Sequence, residues 1–130
     1  MLTIAIATRD GTAVDQHFGW CTRFDVYQVD AEHAELVQTR APGSAEGEDA
    51  KIASRLDAIR DCAIVHVTAI GPTAAARVVK AGLMPVKMPE GTPVAEVLTR
   101  LQEVLGGTPP PWIRKVLRQH SPDATAWTPA

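Results

Sequence analysis

Leu2-Thr3-Ile4-Ala5-Ile6-Ala7-Thr8 is the stretch of sequence that decides the fold. It is almost entirely apolar and β-prone, which predicts a strand buried on both faces. Residues 63–67 have the same character and predict a second strand of this kind. An amphipathic segment from about 49 to 60, with apolar residues at helical spacing, lies between them. We therefore expect the two strands to be central neighbours, joined by a right-handed crossover through that helix.

The other segments extend this unit into a mixed sheet. Residues 24–29 and 35–40 flank a polar turn and predict a β-hairpin. A small-residue helix at 73–80, a short strand at 83–88 and an apolar-striped helix at 94–105 follow the second buried strand. This order predicts an α/β fold, a mixed five-stranded sheet built from a β-hairpin plus βαβα units, with helices on its faces.

Composition predicts one α/β domain over 1–107 and a different character beyond it. Residues 108–118 form a Pro-rich spacer and a short basic amphipathic helix, and 119–130 are expected to be a disordered tail. The basic helix either packs on the domain or docks another protein, with Trp112 as its anchor.

Net charge and cysteine content limit which binding partners and which cellular compartment are expected. The 130 residues carry a net charge of −2, which gives no general reason to expect nucleic acid or an anionic membrane as partner. The apolar runs are too short to span a membrane. Two cysteines do not make a disulfide framework, so a cytoplasmic location is expected.

The loop after the first strand carries the groups best suited to chemistry. Residues 15–24 place His17, Cys21 and Arg23 in one short segment. Imidazole and thiolate suit iron and iron–sulfur species, and an exposed Cys21 beside Arg23 would have a lowered pKa. His17 could equally be a loop histidine bonded to backbone, and Cys21 could be a buried apolar side chain.

A second loop is expected to meet the first. In open α/β sheets, ligands bind where strand order reverses, at the carboxyl ends of the strands. This rule places the loop 9–23 beside the turn 68–73, where Gly71-Pro72 precedes a helix that starts near Thr73. The N–H groups of that helix start would attract an anion, although an ordinary turn is the simpler interpretation.

The sequence lacks the signature motifs of several classes of enzyme. The chain has neither the P-loop nor the dinucleotide-binding spacing, and no G-x-S-x-G motif. Metal-dependent nucleases need carboxylates grouped on central strands, and 2–8 and 63–67 carry none. We therefore expect a binding protein, not an enzyme.

Several short motifs, taken in order and spacing, carry a family resemblance. They are Ile4-Ala5-Ile6-Ala7-Thr8, Val14-Asp15-Gln16-His17-Phe18-Gly19, Phe24-Asp25-Val26-Tyr27, Ile70-Gly71-Pro72 and Lys87-Met88-Pro89-Glu90-Gly91-Thr92-Pro93. With them the chain resembles the dinitrogenase iron–molybdenum cofactor biosynthesis family of NifX/NafY-type carriers, from residue 1 to about 118. The ending Pro109-Pro110-Pro111-Trp112-Ile113-Arg114-Lys115 is similar to the NifX branch in particular.

The resemblance implies a ribonuclease H-like fold and a non-enzymatic carrier in nitrogen fixation. Its cargo would be an iron–sulfur precursor of the iron–molybdenum cofactor, or that cofactor, passed through scaffold proteins toward apo-dinitrogenase. His17 falls on the family's His-Phe-Gly position and is expected to touch iron or a cluster edge. The expected cofactor-binding residues are His17, Phe18, Gly19, Arg23, Gly71 and Thr73, and the expected metal ligands are His17 and Cys21. The alternatives are a regulatory or storage protein of the same pathway, or a generic anion-binding or protein-interaction domain without a cluster.

Overall fold

Seven strands and four helices make up the computed structural model, which describes residues 1–43 and 46–120. The strands are β1 (Leu2–Ala7), β2 (Ala13–Val14), β3 (Phe24–Val29), β4 (Ala34–Arg40), β5 (Ile64–Val67), β6 (Met84–Lys87) and β7 (Thr92–Pro93). The helices are α1 (Glu48–Ala58), α2 (Pro72–Lys80), α3 (Val94–Gly106) and α4 (Pro111–His120). A one-turn 3₁₀ helix spans Phe18–Trp20.

The main sheet has five strands in the order β4-β3-β1-β5-β6. β1 pairs parallel with β5 and antiparallel with β3, and β5 pairs parallel with β6. The predicted mixed five-stranded sheet, with the two most apolar strands as central neighbours, is therefore confirmed. Because β1 and β5 are parallel, the loops that follow them leave the same edge of the sheet.

Alternating side chains of the strands pack into separate cores on the two faces of the sheet. Val65 and Val67 pack with residues of α1 and α2, while Ile64 packs with residues of α3 and α4. This alternation follows from the two-residue period of a strand. Because both faces are covered, β1 and β5 read as continuous apolar runs, as the sequence predicted.

Two features differ from the sequence prediction. Thr92 and Pro93, directly before the helix predicted at 94–105, pair with Val14 and Ala13 in a two-stranded ladder that was not predicted, and α3 then begins at Val94. α4 extends to residue 120, so the predicted tail boundary at 119 is wrong by two residues, and the rest of that prediction, 121–130, lies outside the described residues.

α4 packs on the domain. Ile113 and Val116 are buried at 1% and 2% exposure within the core that α3 covers. Residues 108–118 therefore complete the α3 face of the sheet, which was one of the two roles considered for them. Within the described ranges, no helix combines the length and apolarity that a membrane crossing requires.

Candidate functional site

The loop after β1 and the turn after β5 are joined by backbone hydrogen bonds. The N–H of Phe18 donates to the carbonyl of Ala69 at 2.9 Å, and the N–H of Thr68 donates to the carbonyl of Gln16 at 3.0 Å. The prediction that these two segments meet is confirmed. They form one surface at the edge of the sheet where the parallel strands end.

A cavity of about 460 Å³ opens on this surface. Its walls come from three segments: the His17 turn, the start of α1 and the start of α2. The lining residues are His17, Gly19, Trp20, Gly47, Glu48, Lys51, Ile52, Gly71, Pro72, Thr73 and Ala74. Four of the predicted site residues, His17, Gly19, Gly71 and Thr73, are thus brought together around one space.

His17 is held by the turn that follows it. Its Nδ1 accepts a hydrogen bond from the backbone N–H of Gly19 at 2.9 Å, so the side chain caps the 3₁₀ helix. Its ring stands edge-on to Trp20, with 6.4 Å between the ring centroids. This bond leaves Nε2 as the ring nitrogen available to the cavity.

The start of α2 contributes backbone donors. Gly71 is the N-cap residue and Pro72 occupies the first turn, where a missing N–H costs nothing. The amides of Thr73 and Ala74 belong to the first turn, where an α-helix has no internal acceptor for its N–H groups. They line the cavity and favour negative charge there.

α1 supplies one basic residue of the cavity wall, Lys51, that the sequence analysis missed. Lys51 lines the cavity, with Glu48 one turn earlier. Arg55, one turn beyond Lys51, is not part of the cavity wall. Its Nη1 donates to the carbonyl of Lys51 at 3.2 Å, and its Nε is buried without a hydrogen-bond partner. Glu48, Lys51 and Arg55 follow at spacings of three and four, the spacing of one helix face, but only the sheet crossover brings that face to the His17 turn.

Trp20 was also missed. Its side chain is 76% exposed although it is large and apolar, and it forms part of the cavity wall. An exposed tryptophan beside a cavity is the kind of rigid apolar contact that binding sites use. Its position three residues after His17 was the only feature of the sequence that could have indicated a place in the cavity wall.

Phe18 and Cys21 lie beneath the cavity and not in its wall. Both are fully buried in the core that α1 and α2 cover. Burial raises the pKa of the Cys21 thiol to about 11, and its Sγ lies 3.0 Å from the carbonyl oxygen of Arg23, to which it donates. The lowered pKa expected for an exposed Cys21 is therefore not found, because the thiol is packed as an apolar side chain.

Arg23 is paired with a buried carboxylate. Its Nε and Nη2 donate to the two carboxylate oxygens of Asp25 at 2.8 and 3.0 Å. Asp25 is only 1% exposed, and a buried carboxylate requires such a partner. The structure thus places Arg23, one of the expected cofactor-binding residues, outside the cavity wall.

His66 and Cys62 are buried core residues. Burial raises the pKa of the Cys62 thiol to about 12 and lowers the pKa of His66 to about 4. In the described part of the chain, no group of three or more His, Cys, Asp and Glu side chains could hold a metal ion. The cavity therefore offers one imidazole and several donors, but not a closed ligand cage.

Comparisons with known proteins agree with this architecture. NifX of Herbaspirillum seropedicae is 38% identical over 121 residues, covering 91% of this chain and 83% of that protein. NifY of Azotobacter vinelandii is 37% identical over 114 residues, and this chain spans only 47% of its length. The crystal structure of PH0822 superposes with a TM-score of 0.63 at 20% identity, covering 78% of this chain and 89% of that one, which bears on the fold alone.

A family model agrees with these relatives and covers the whole sheet. It is described as dinitrogenase iron-molybdenum cofactor and matches residues 1–104, which include both loops of the cavity. On this match, and on the identity with NifX, the chain belongs to the dinitrogenase iron-molybdenum cofactor family.

Proposed function

We propose that this chain is a non-enzymatic carrier in nitrogenase cofactor biosynthesis. Its cargo is an iron–sulfur precursor of the iron-molybdenum cofactor, or the cofactor itself, held transiently. Membership of the family supports the class of cargo. The observation that carries the proposal is the cavity of about 460 Å³ between the His17 turn and the start of α2, since it provides room and polar contacts together.

The composition of the cavity wall suits binding that must later be reversed. A cluster held by several thiolates is bound in a closed cage, as in ordinary iron–sulfur proteins. Here the wall offers the imidazole of His17, the ammonium of Lys51 and the backbone donors at Thr73, with apolar contact from Trp20. Such a wall offsets the charge of an anionic cluster without enclosing its metal positions, so the cargo can leave.

The proposed contacts follow from this lining. His17, Gly19, Gly71 and Thr73 contact the cargo, and His17 touches iron or a cluster edge. Phe18 acts from below by anchoring the turn in the core. Lys51 replaces Arg23 as the side-chain cation at the site, because the guanidinium of Arg23 is occupied by Asp25.

A carrier needs a donor and an acceptor. We propose nitrogenase cofactor assembly proteins as donors and further scaffolds or apo-dinitrogenase as acceptors, all in the cytoplasm. The surface around the cavity, including exposed Trp20, is the part of the chain that a donor or acceptor must approach during transfer.

Binding is tested by mixing the purified chain with isolated iron-molybdenum cofactor without oxygen, followed by size-exclusion chromatography and iron analysis. Iron should elute with the unmodified chain, and His17→Ala should reduce the retained iron while the circular dichroism stays unchanged. His33→Ala is the matched control, because His33 is an exposed histidine in the turn between β3 and β4. If the unmodified chain retains no iron, the carrier function is wrong.

Transfer is tested separately with the loaded chain. A carrier should activate apo-dinitrogenase or pass its iron to an assembly scaffold. Retention of iron without transfer to either acceptor would instead indicate a storage or regulatory protein.

A further inference from the structure

We propose that the outer face of α4 is a docking surface for an acidic region of the protein that accepts the cargo. Three exposed residues form this surface, the α4 patch: Trp112, Lys115 and Arg118. That the partner is a cargo acceptor rests on the proposed carrier function. The location of the surface and the charge of its partner follow from the contacts and composition of α4.

The inner face of α4 fixes the helix on the domain. Ile113 and Val116 are buried in the core that α3 covers, and Leu117 is only 9% exposed. The Nε of Arg114 donates to the carbonyl of Pro109 at 3.0 Å, which ties the helix to the segment before it. The outer face is therefore presented in a fixed position, and a partner does not have to order the helix when it binds.

α4 carries positive charge without carboxylates to balance it. The helix contains three lysine or arginine residues and no Asp or Glu. Within the described residues, neither Lys115 nor Arg118 makes an ion pair, whereas Arg40, Arg60 and Arg100 are each paired with a carboxylate. The chain as a whole has a net charge of −2. The patch is thus a local positive region on a negative molecule, and it favours an acidic partner.

Trp112 adds an apolar contact to these charges. Its side chain is 39% exposed, and it lies three residues before Lys115, the spacing of neighbours on a helix surface. Tryptophan is enriched among the few residues that carry most of the binding energy of protein interfaces. An exposed indole beside two cations therefore suits a partner that combines an apolar pocket with acidic side chains around it.

A protein fits the α4 patch better than a membrane or a nucleic acid does. A helix that binds a membrane surface buries its apolar face in the lipid, but the apolar face of α4 is already buried in the domain. Nucleic acids are bound through Lys and Arg contacts to several phosphates, and the patch offers two cations on a chain of net negative charge. A second copy docked patch to patch would bring like charges together.

The α4 patch and the cavity belong to opposite faces of the sheet. α4 packs over the core that α3 covers, whereas the starts of α1 and α2, which wall the cavity, belong to helices that cover the other core. A protein bound at α4 therefore does not fill the space proposed for the cargo. It follows that docking and iron retention should respond to different substitutions.

Charge reversal in the cargo-free chain tests the docking surface. The test variant is Lys115→Glu/Arg118→Glu. The matched control is Lys80→Glu/Lys87→Glu, which changes the net charge equally at exposed lysines of α2 and β6. The probes are immobilised apo-dinitrogenase and the isolated assembly scaffold, at about 50 and about 300 mM salt. At the lower salt the test variant should associate with one of these probes about tenfold more slowly than the unmodified chain, and the control within about twofold of it.

Equal association rates for the two double variants would overturn the inference, and so would failure of the unmodified chain to bind either probe. Vesicles of phosphatidylglycerol, duplex DNA and self-association of the chain are measured in parallel. If reversal at Lys115 and Arg118 abolishes one of these interactions and leaves acceptor binding unchanged, the inference is also wrong.

Iron retention separates this inference from the carrier function. Both double variants should retain as much iron as the unmodified chain after mixing with isolated iron-molybdenum cofactor, because the patch is remote from the cavity. The loaded test variant should nevertheless transfer its iron more slowly than the loaded control. An unmodified chain that binds an acceptor through α4 but retains no iron would contradict the carrier function and not the docking surface.

Trp112→Ala tests the apolar contact. Dissociation from the acceptor should become about tenfold faster, the size expected when a central interface residue is truncated. Trp112→Phe should dissociate more slowly than Trp112→Ala, because it keeps an aromatic ring. Val79→Ala is the matched control, since Val79 is an exposed apolar residue of α2. Unchanged dissociation of Trp112→Ala, with an unchanged urea midpoint, would remove Trp112 from the docking surface.

Discussion

The backbone N–H of Phe18 donates to the carbonyl of Ala69 across 2.9 Å, and this contact joins the two loops of the candidate site. Phe18 follows the first strand of the chain and Ala69 follows β5, so they are distant in sequence. They meet because β1 and β5 are parallel neighbours whose carboxyl ends leave one edge of the sheet. The cavity is therefore a consequence of sheet topology, and its two main walls have a fixed spacing.

Blocking the cavity at Gly71 should abolish binding without unfolding the chain. Gly71 has φ −70° and ψ 158°, which any residue adopts, and a Cβ built there meets no atom within 4 Å. Gly71→Leu should therefore fill open cavity space and lower cofactor affinity by about 10- to 100-fold, the effect of 1–3 kcal/mol of steric overlap. Iron retention after anaerobic chromatography measures the loss.

Gly43→Leu is the matched control for this substitution. A Cβ at Gly43 also meets no atom within 4 Å, but Gly43 is outside the cavity wall. Equal iron retention by the two leucine variants would contradict the placement of the cargo. A lowered urea midpoint for Gly71→Leu alone would contradict the claim that its side chain enters open space.

The sequence predicted the sheet and the meeting of the two loops because both follow from local patterns. Strand apolarity identifies β1 and β5 as central, and topology rules then place the loops that follow them. The side-chain environments could not be predicted in this way. Arg23 and Cys21 are near His17 in sequence, yet pairing with Asp25 and burial in the core remove both from the cavity wall.

Lys51 is the opposite case, a residue of the cavity wall that the sequence did not predict. It lies far from either loop in the sequence, on a helix predicted only from its apolar spacing. The crossover from β4 to β5 determines which end of α1 faces the His17 turn, and that long-range arrangement has no signature at Lys51 itself. Residues contributed by a crossover helix are therefore the part of such a site that sequence patterns miss most easily.

Arg23→Ala should reduce the stability of the fold and leave cofactor affinity unchanged. Removing the guanidinium leaves the carboxylate of Asp25, 1% exposed, with Thr39 as its remaining side-chain donor. The urea midpoint should fall clearly below that of Arg9→Ala, whose pair with Asp15 is at the surface and contributes about 0–1 kcal/mol. If Arg23→Ala lowers cofactor affinity but has the same stability as the unmodified chain, Arg23 contacts the cofactor after all.

Cys21 should be unreactive in the native chain. Its pKa is raised to about 11 by burial, and Cys62 is similar at about 12, so little thiolate exists at pH 8 and neither sulfur is exposed. A thiol reagent such as Ellman's should label neither cysteine at pH 8 in buffer and both in urea. Cys21→Ala should keep cofactor affinity. Rapid labelling of Cys21 in the folded chain, lost on adding cofactor, would support a ligand role.

His66 should make the fold lose stability in mild acid. It is 6% exposed on β5, its Nδ1 has no hydrogen-bond partner, and burial lowers its pKa from 6.5 to about 4. Between these values the unfolded chain binds a proton that the native chain does not, so the free energy of unfolding falls as pH drops from about 6.5 to about 4, by about 3 kcal/mol. Asp10, Asp30 and Asp61 have pKa values lowered below 3.8, so any stability that they contribute is lost at still lower pH.

Urea unfolding at pH 7, 5.5 and 4.5 measures this fall in the free energy of unfolding. His66→Leu should flatten it, and an equal fall in this variant would assign the effect to another group.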